Sequence, residues 1–276
     1  MPVDRSRSTP PAAQVAGTAA FSKFMHLLQL VADTPEAMTV AELSKVSGYP
    51  RATVYRTVAA LTAERLLAEH PQTGVLVLGP RLIQLASRSW GRSEMRLAAV
   101  EDLKRLRDVT GETVHLAVPN GTHMVYIEKL ESPSAVQMNS RIGTNVSMYS
   151  TAVGKAYLAM LADDAQQAAL ESLPQPFARY TANTTADMAA LKRQLQETRR
   201  RGWAVDEEEN EAGIYCFGAP IFGRDGVPVA AISVSTLRFR QKADPQAAYV
   251  APLLEVCHAI TQRIAQTPAL SGANLL

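Results

Sequence analysis

The sequence has only two cysteines, Cys216 and Cys257, and neither belongs to a CxxC or CxxH pattern. A disulfide framework or a zinc site would need more cysteines at closer spacing. No apolar run approaches the roughly 18 residues of a membrane-spanning helix, and no secretory apolar segment precedes Phe21. We therefore expect a cytoplasmic protein that makes no use of a membrane.

Sequence signatures of catalysis and of cofactor binding are also missing. There is no Ser-His-Asp order, no paired-carboxylate arrangement and no glycine-rich dinucleotide loop. The Gly154-Lys155 pair lacks the rest of a nucleotide P-loop. His115 and His123 have no carboxylate at metal-ligand spacing, so each is expected to be an ordinary core or surface histidine. We expect no catalytic residue, no cofactor and no metal.

What is present is the composition of a globular protein with two domains. The 276 residues are 47% apolar and 20% charged. Residues 1–92 carry ten Lys and Arg against six Asp and Glu, an excess of +4, whereas the remainder carries eighteen against twenty, or −2. A basic first domain suits contact with phosphates. Residues 1–17, rich in Pro, Ser and Ala, are expected to be a disordered tail. Its Arg5 and Arg7 either touch DNA or, as we favour, are simply solvated.

The segment 39–78 has the pattern of a winged helix-turn-helix. Thr39 and Glu42 form a capping box that begins one helix, Gly48 ends it, and Pro50 suits the start of the next. Apolar stripes at helical spacing mark the buried faces of three helices. They comprise Phe21, Phe24, Met25, Leu28 and Val31 in the first, Val40, Leu43 and Val46 in the second, and Val54, Val58 and Leu61 in the third.

The third helix has the residue types of a DNA recognition helix. A B-DNA major groove is about 12 Å wide and admits one helix, whose first turns meet bases and phosphates. The residues expected on or beside its exposed face are Arg51, Thr53, Tyr55, Arg56 and Thr57. Leu67–His70 and Val75–Leu78 then resemble a hairpin, the wing, joined by a turn at residues 71–74. The alternative is a small helical core unit with an ordinary exposed arginine face.

A helical connector follows, and then an α+β domain. We predict a winged helix-turn-helix over 18–80, a helical linker over 81–95 with a joint near Gly91, and a second domain over 96–270. Strand-like runs cover residues 113–118, 124–130, 214–221 and 229–237, interleaved with helical stretches near 152–162, 187–201 and 247–266.

Two features of the second domain suggest a binding site. Ser233 and Ser235 lie two residues apart on a strand and so share a face. Their hydroxyls need partners, which could be a polar ligand, neighbouring backbone or water. Ser150 or Thr151 caps a helix whose free N–H groups would suit a carboxylate.

Over residues 20–266 the chain resembles the isocitrate lyase regulator (IclR) family of bacterial transcription factors. The matching segments are TVAELSKVSGYPRATVYRTVAAL, GPRLIQLAS, GETVHLAV, VYIEKLES, STAVGKAYLA, RRGWAVDEEENEAGIYCFGAPIF and AAISVS. The resemblance implies a GAF-like effector-binding domain, an antiparallel sheet flanked by helices, and assembly into dimers or tetramers. Members of the family act as repressors or activators.

The resemblance also implies where the effector lies. It places the ligand at the turn of Ala152 and Val153, against the strand of Ser233 and Ser235. Further lining comes from Asp206, Ile214 and Cys216, with an apolar wall of Met138, Val146 and Met148. The family commonly has His where this chain has Tyr149, which favours a larger or aromatic acid. Glu207, Glu208 and Glu209 are expected to form a solvated loop, and Cys216 to be a small buried apolar residue.

The function these features predict is a sequence-specific DNA-binding transcriptional regulator controlled by a small carboxylic or aromatic acid. The operator is expected to be pseudo-palindromic and the protein a homodimer or tetramer. The alternative is a domain that processes a small acid through Cys216 and Asp206, targeted by the DNA-binding head. A milder variant has the head regulated by a protein partner while the pocket stays empty.

Overall fold

A computed structural model describes residues 17–34, 36–90 and 93–266. The chain divides between residues 91 and 92 into two compact units. The predicted tail over residues 1–16 and the predicted joint at Gly91 lie outside the described residues, as does the end of the second domain beyond residue 266.

The first unit contains the predicted winged helix-turn-helix. Its capping box is formed as expected, because the Thr39 amide donates to Glu42 Oε2 at 2.8 Å and the Glu42 amide donates to Thr39 Oγ1 at 3.3 Å. Gly48, with φ +72°, follows the end of the second helix. The elements are α1 (Ala19–Asp33), α2 (Val40–Val46), α3 (Arg51–Ala63), β1 (Leu67–Glu69), β2 (Leu76–Leu78) and α4 (Pro80–Trp90).

The buried stripes of the first two helices differ from the prediction. In α1 the fully covered residues are Leu27 and Leu28, whereas Phe21 is 66% exposed and Met25 is also exposed. In α2 only Leu43 is fully buried, and Val46 is 59% exposed. A stripe of period 3.6 fixes the spacing of apolar residues but leaves open which of two adjacent stripes packs inward.

The second unit is an α+β domain, as predicted. Helix α5 (Glu94–Thr110) ends at Gly111, whose φ of +72° provides a left-handed C-cap. Among the described residues, six strands form one antiparallel sheet in the order β5-β4-β3-β8-β7-β6. The strands are β3 (Thr113–Asn120), β4 (His123–Leu130), β5 (Asn145–Ser147), β6 (Ala204–Glu207), β7 (Ile214–Phe222) and β8 (Pro228–Leu237). The helices after α5 are α6 (Ala152–Met160), α7 (Asp163–Ser172), α8 (Met188–Arg201) and α9 (Ala251–Gln266), with a 3₁₀ turn at Arg238–Arg240 and a π turn at Gln246–Val250.

The sheet separates two apolar cores. Val114, Ile232 and Val234 pack with α5 and α9 on one side, while Ala117 and Ala231 belong to the core shared with α6 on the other. The opposite placement of Ile232 and Val234 from Ala231 confirms the predicted alternation along β8. No helix of the described part is long and apolar enough to span a membrane.

Candidate functional site

The exposed face of α3 carries a cluster of basic and hydroxyl side chains. Arg51, Tyr55 and Arg56 are exposed, and Thr53 is half-buried. The Arg51 guanidinium lies 5.2 Å from the centre of the Tyr55 ring, and its Nη2 donates to the Tyr55 hydroxyl at 3.3 Å. Arg56 Nε donates to the Ala52 carbonyl at 3.3 Å, which turns this side chain back along its own helix. These four residues lie where the sequence predicted them.

Thr57 does not belong to that surface, and its predicted placement beside the exposed face is wrong. It is 5% exposed and packs on the buried side of α3 with Val54, Val58 and Leu61. Thr57 lies three residues after Val54 and directly before Val58, which puts it within the apolar stripe rather than opposite it. A side chain buried there cannot contact a base edge.

The predicted wing is a short antiparallel hairpin. Leu67 pairs with Leu78 and Glu69 with Leu76, so each strand is shorter by one residue than the sequence suggested. The Leu76 amide also donates to the Met38 carbonyl at 2.8 Å, just ahead of α2. This hydrogen bond attaches the wing to the helix-turn-helix.

In the second unit, strand pairing gathers polar residues on the side of the sheet that faces α6. Paired residues on neighbouring strands project to the same side. One row across the sheet joins Asp206 to Cys216, Cys216 to Ser235, and Ser235 to Thr113. The adjacent row joins Gly218 to Ser233, Ser233 to His115, and His115 to Lys129. We call Asp206, Cys216, Ser233, Ser235 and His115 the polar face.

The N-terminus of α6 lies directly on this face because Gly218 has no side chain. A Cβ at Gly218 would lie 2.5 Å from the Ala152 carbonyl oxygen, so only glycine permits this approach. Thr151 caps the helix by accepting from the Gly154 amide at 3.2 Å. The Ala152 and Val153 amides have no hydrogen-bond partner among the described residues. Since Gly218 pairs with Ser233, the helix end and the serine strand are brought together, as predicted.

Asp206 is the buried carboxyl group of the polar face. It is 2% exposed, and its Oδ1 accepts from the amides of Glu209 at 2.7 Å and Asn210 at 3.3 Å. Burial raises the pKa of Asp206 to about 7, against the opposing influence of the Lys155 ammonium. A protonated Asp206 is therefore substantially populated near neutral pH.

Cys216 lies between Asp206 and Ser235 and is half-buried. Burial, followed by the neighbouring Asp206 carboxyl group, raises the pKa of its thiol far above the usual range. A thiol must ionise to act as a nucleophile. This environment disfavours the thiolate, which counts against Cys216 as a catalytic group.

The other predicted lining residues occupy different positions around the face. Met148 and Val153 are buried in the core beneath α6, and Val146 packs against that core from β5. Ile214 is two residues before Cys216 on β7, on the same side of the sheet and partly exposed. Met138 lies in the segment 131–144 between β4 and β5, where its carbonyl accepts from Lys129 Nζ at 2.7 Å.

The acidic run after Asp206 is not a uniformly solvated loop, so that expectation is wrong for two of its three residues. Glu209 is 4% exposed, forms an ion pair with the buried Lys155 of α6, and accepts from Thr185 Oγ1 at 2.6 Å. Glu208 is half-buried and pairs with Arg238 at 2.7 Å. Only Glu207 is exposed. A buried carboxylate needs a positively charged partner, and these partners lie outside the acidic run, so its composition alone does not show which residues are buried.

Two residues at the polar face were not among the predicted site residues: Lys129, and His115, which was expected only to be an ordinary core or surface histidine. His115 is 2% exposed and stacks on Tyr126 with 4.4 Å between ring centres. Lys129 is buried and donates to the carbonyls of Met138 and Ser140. The period-two alternation of β3 places His115 on the side of Thr113 and Ala117, which is the only signal that could have located it.

Tyr149 is engaged within the protein. Its ring stacks on Phe177 at 4.2 Å, and its hydroxyl donates to the Ala178 carbonyl at 2.9 Å. It therefore belongs to the core around α6, with both its ring and its hydroxyl engaged within the protein. Within the described residues, no cluster of three or more His, Cys, Asp or Glu side chains could hold a metal ion.

Comparison with known proteins identifies both units of the chain. Residues 21–71 match the IclR helix-turn-helix domain, and residues 89–262 match the C-terminal domain of the bacterial transcriptional regulator IclR. The HTH-type transcriptional regulator XynR of Escherichia coli K12 is 32% identical over 216 residues, which span 78% of this chain and 85% of that protein. KdgR of the same organism is 32% identical over 222 residues, spanning 80% and 83%.

Solved structures agree with these matches. The IclR of Thermotoga maritima is 31% identical and superposes with a TM-score of 0.69 over 89% of this chain and 98% of that one. An IclR homolog from Microbacterium hydrocarbonoxydans, complexed with 4-hydroxybenzoate, has the same fold, with a TM-score of 0.76 at 23% identity over 90% and 100%. The chain therefore belongs to the IclR family of bacterial transcriptional regulators, helix-turn-helix DNA-binding proteins rather than enzymes.

Proposed function

We propose that this regulator binds a small organic acid on the polar face, and that the bound acid changes its affinity for operator DNA. The observation that carries the proposal is the unused hydrogen-bonding capacity collected there. The buried Ser233 hydroxyl has no partner among the described residues, and neither do the Ala152 and Val153 amides. Buried polar groups are normally satisfied, so a ligand is the natural partner for a set that converges on one place.

The chemistry of the face favours a carboxylate. The helix end offers free N–H groups and a partial positive charge, both of which stabilise an anion. The serine hydroxyls can donate as well. Asp206 would oppose an anion if ionised, but its raised pKa allows it to carry a proton and donate to the ligand instead. The solved relative that holds 4-hydroxybenzoate supports an aromatic acid as one class to test.

For the DNA-binding unit, we propose that Arg51, Thr53, Tyr55 and Arg56 contact the operator. A single winged head buries little surface on DNA, so two heads and a pseudo-palindromic operator are expected. Exposed apolar side chains on α1 and α4, Phe21 and Ile83 among them, support association with a second copy into a homodimer, from which a tetramer could be built. Because it acts on chromosomal DNA, we place the protein in the cytoplasm.

The effector site is tested by isothermal titration calorimetry after a thermal-shift screen of carboxylic and aromatic acids. A ligand present at about 100 times its dissociation constant adds roughly 2.7 kcal/mol of stability, enough to detect. Ser233→Ala and Ser235→Ala should each weaken binding by about 0.5 to 3 kcal/mol. Ser172→Ala, on α7, is the matched control and should bind as the wild type does. Wild-type affinity in both variants would show that the acid binds elsewhere.

The DNA-binding surface is tested by operator titrations at several salt concentrations. Arg51→Ala and Arg56→Ala should each cost about 1 to 3 kcal/mol where the contact is to a base, and should flatten the salt dependence where it is to phosphate. Arg193→Ala removes an exposed arginine of α8 in the second unit and serves as the control. Unchanged binding in both α3 variants would contradict the assignment.

A further inference from the structure

We propose that His115 is a specificity-determining residue of the effector site, because it lies between Ser140 and Ser235 and fixes the direction in which the Ser235 hydroxyl donates. The consequence is a preference for ligands that present a hydrogen-bond acceptor to Ser235, such as a carboxylate oxygen. This inference rests on the proposed function, since it concerns the selectivity of the same site.

The geometry places His115 in a continuous chain of polar groups. Its Nε2 lies 2.7 Å from Ser140 Oγ, and its Nδ1 lies 3.4 Å from Ser235 Oγ. The ring is stacked on Tyr126 and fully covered, so it cannot rotate freely. Ser140 itself is held by Lys129, whose ammonium donates to the Ser140 carbonyl at 2.8 Å. Both ring nitrogens therefore face a serine hydroxyl.

A neutral imidazole has one N–H donor and one lone-pair acceptor, so its two hydrogen bonds cannot both run the same way. Burial, assisted by the Lys129 ammonium, lowers the pKa of His115 to about 3. The ring is thus neutral at physiological pH. One of the two serines must donate to the ring, and the other must accept from it.

The distances indicate which serine does which. Hydrogen bonds from hydroxyl donors have a typical donor–acceptor distance of about 2.7 to 2.8 Å, and those from N–H donors are typically longer, at about 2.9 to 3.0 Å. The short contact therefore fits a Ser140 hydroxyl that donates to Nε2. The proton then sits on Nδ1, which donates toward Ser235 Oγ. Ser235 accepts from the ring, so its own hydroxyl proton points away from His115, toward the neighbouring Cys216 sulfur, and a stronger acceptor on a ligand can take that hydrogen bond instead.

The opposite tautomer would reverse the selectivity. If Nε2 carried the proton, Ser235 would donate to Nδ1 and present only an acceptor, which suits an amide or alcohol proton of a ligand. A buried donor left without an acceptor costs binding free energy, so the tautomer discriminates between an acid and its primary amide. His115 thus acts without the need for direct contact with the ligand.

The first test needs no ligand. Nitrogen-15 chemical shifts of the histidines in the full-length protein distinguish protonated from unprotonated ring nitrogens, with His115 assigned by its disappearance in His115→Gln. We expect a neutral ring with the proton on Nδ1, and a shift toward the Nε2 tautomer in Ser140→Ala. A proton on Nε2 in the wild-type protein, or a charged ring near pH 6, would overturn the proposal.

The second test compares benzoate, 4-hydroxybenzoate and pyruvate with their primary amides by calorimetry. For each acid that binds, the wild type should prefer it over its amide by about tenfold or more. His115→Gln, which removes the group at the Nδ1 position, should reduce that ratio, and His115→Asn, whose amide can occupy that position, should restore part of it. Amides that bind as tightly as acids would refute the proposal. Failure of every acid would count against the proposed function instead, while the nitrogen shifts decide the hydrogen-bond direction on their own.

Discussion

Replacement of Asp206 by Asn should stabilise the protein, and by an amount that grows with pH. Asp206 is 2% exposed and lies beneath the 206–210 turn with its Oδ1 bound to two amides. Asn has nearly the same shape, and its Oδ1 can accept the same two hydrogen bonds. The substitution therefore removes the buried titratable group while leaving its contacts in place.

The magnitude follows from the pKa of Asp206, which rises from 3.8 in an unfolded chain to about 7 in the folded one. Below pH 3.8 the group is protonated in both states and costs nothing. As the pH rises from 3.8 to about 7, the unfolded chain releases its proton while the folded protein keeps it, so the free energy of unfolding falls. Each unit of difference between the two pKa values corresponds to about 1.36 kcal/mol. The loss in the free energy of unfolding that Asp206 causes therefore levels off at about 4 kcal/mol above pH 7.

The assay is urea unfolding of the wild type and of Asp206→Asn at pH values from about 4.5 to 8.5. The difference in unfolding free energy between the two proteins should increase over this range and reach a plateau above pH 7. Asp164→Asn, on the exposed surface of α7, controls for the loss of one negative charge. A difference that stays constant with pH, or that shrinks as the pH rises, would refute the argument that burial keeps this carboxyl group protonated.

Three further predictions test the packing around the two surfaces. Gly218→Ala should destabilise the second unit by about 1 to 3 kcal/mol in urea unfolding, since the new Cβ would overlap the Ala152 carbonyl; an unaffected midpoint would contradict the close approach of α6. Glu209→Gln should cost about 3 to 5 kcal/mol because Lys155 would remain buried without its carboxylate, and the double variant with Lys155→Met should recover part of the loss. Thr57→Val should leave operator affinity within about twofold of the wild type in gel-shift titrations, because Thr57 is buried and the substitution removes no group from the exposed face of α3. A tenfold loss of affinity would indicate that Thr57 contacts DNA after all.

Local chemistry explains why the first unit could be predicted in such detail. The Thr39–Glu42 capping box, the left-handed Gly48 and the hairpin all depend on residues close in sequence, and each is present, with both hairpin strands one residue shorter than predicted. The errors concern which residues of the helices are buried. Which stripe of α1 faces inward depends on the neighbouring helices and not on periodicity alone. The burial of Thr57, by contrast, follows from its position within the stripe of α3, between Val54 and Val58.

The polar face was harder to predict from the sequence than the first unit. Alternation along β8 correctly placed Ser233 and Ser235 on one side, but the pairing of β8 with β3 and β7 was not encoded in any short segment. His115 therefore looked like an isolated histidine, although strand register puts it directly opposite Ser233. Glu209 likewise looked solvated, although its partner Lys155 is far along the chain. Long-range pairing of polar groups leaves little trace in local composition.

The buried charges of the second unit also bear on how an acid could act as a signal. Asp206 and the Lys155–Glu209 pair lie together between α6 and the 206–210 turn. The Lys155 ammonium and the hydrogen bond from the Glu209 amide lower the pKa of Asp206, while the Glu209 carboxylate raises it. An anionic ligand at the N-terminus of α6 would add a second negative charge near Asp206 and so favour its protonated form further. Binding would then take up a proton. Linkage requires that whatever changes the protonation of Asp206 also changes the affinity for the acid, and that any effect on the operator equals the difference in that affinity between the two DNA-binding states. If an acid binds at this helix end as proposed, the buried carboxyl group that destabilises the folded protein would make the free energy of α6 and its turn depend on whether the acid is bound.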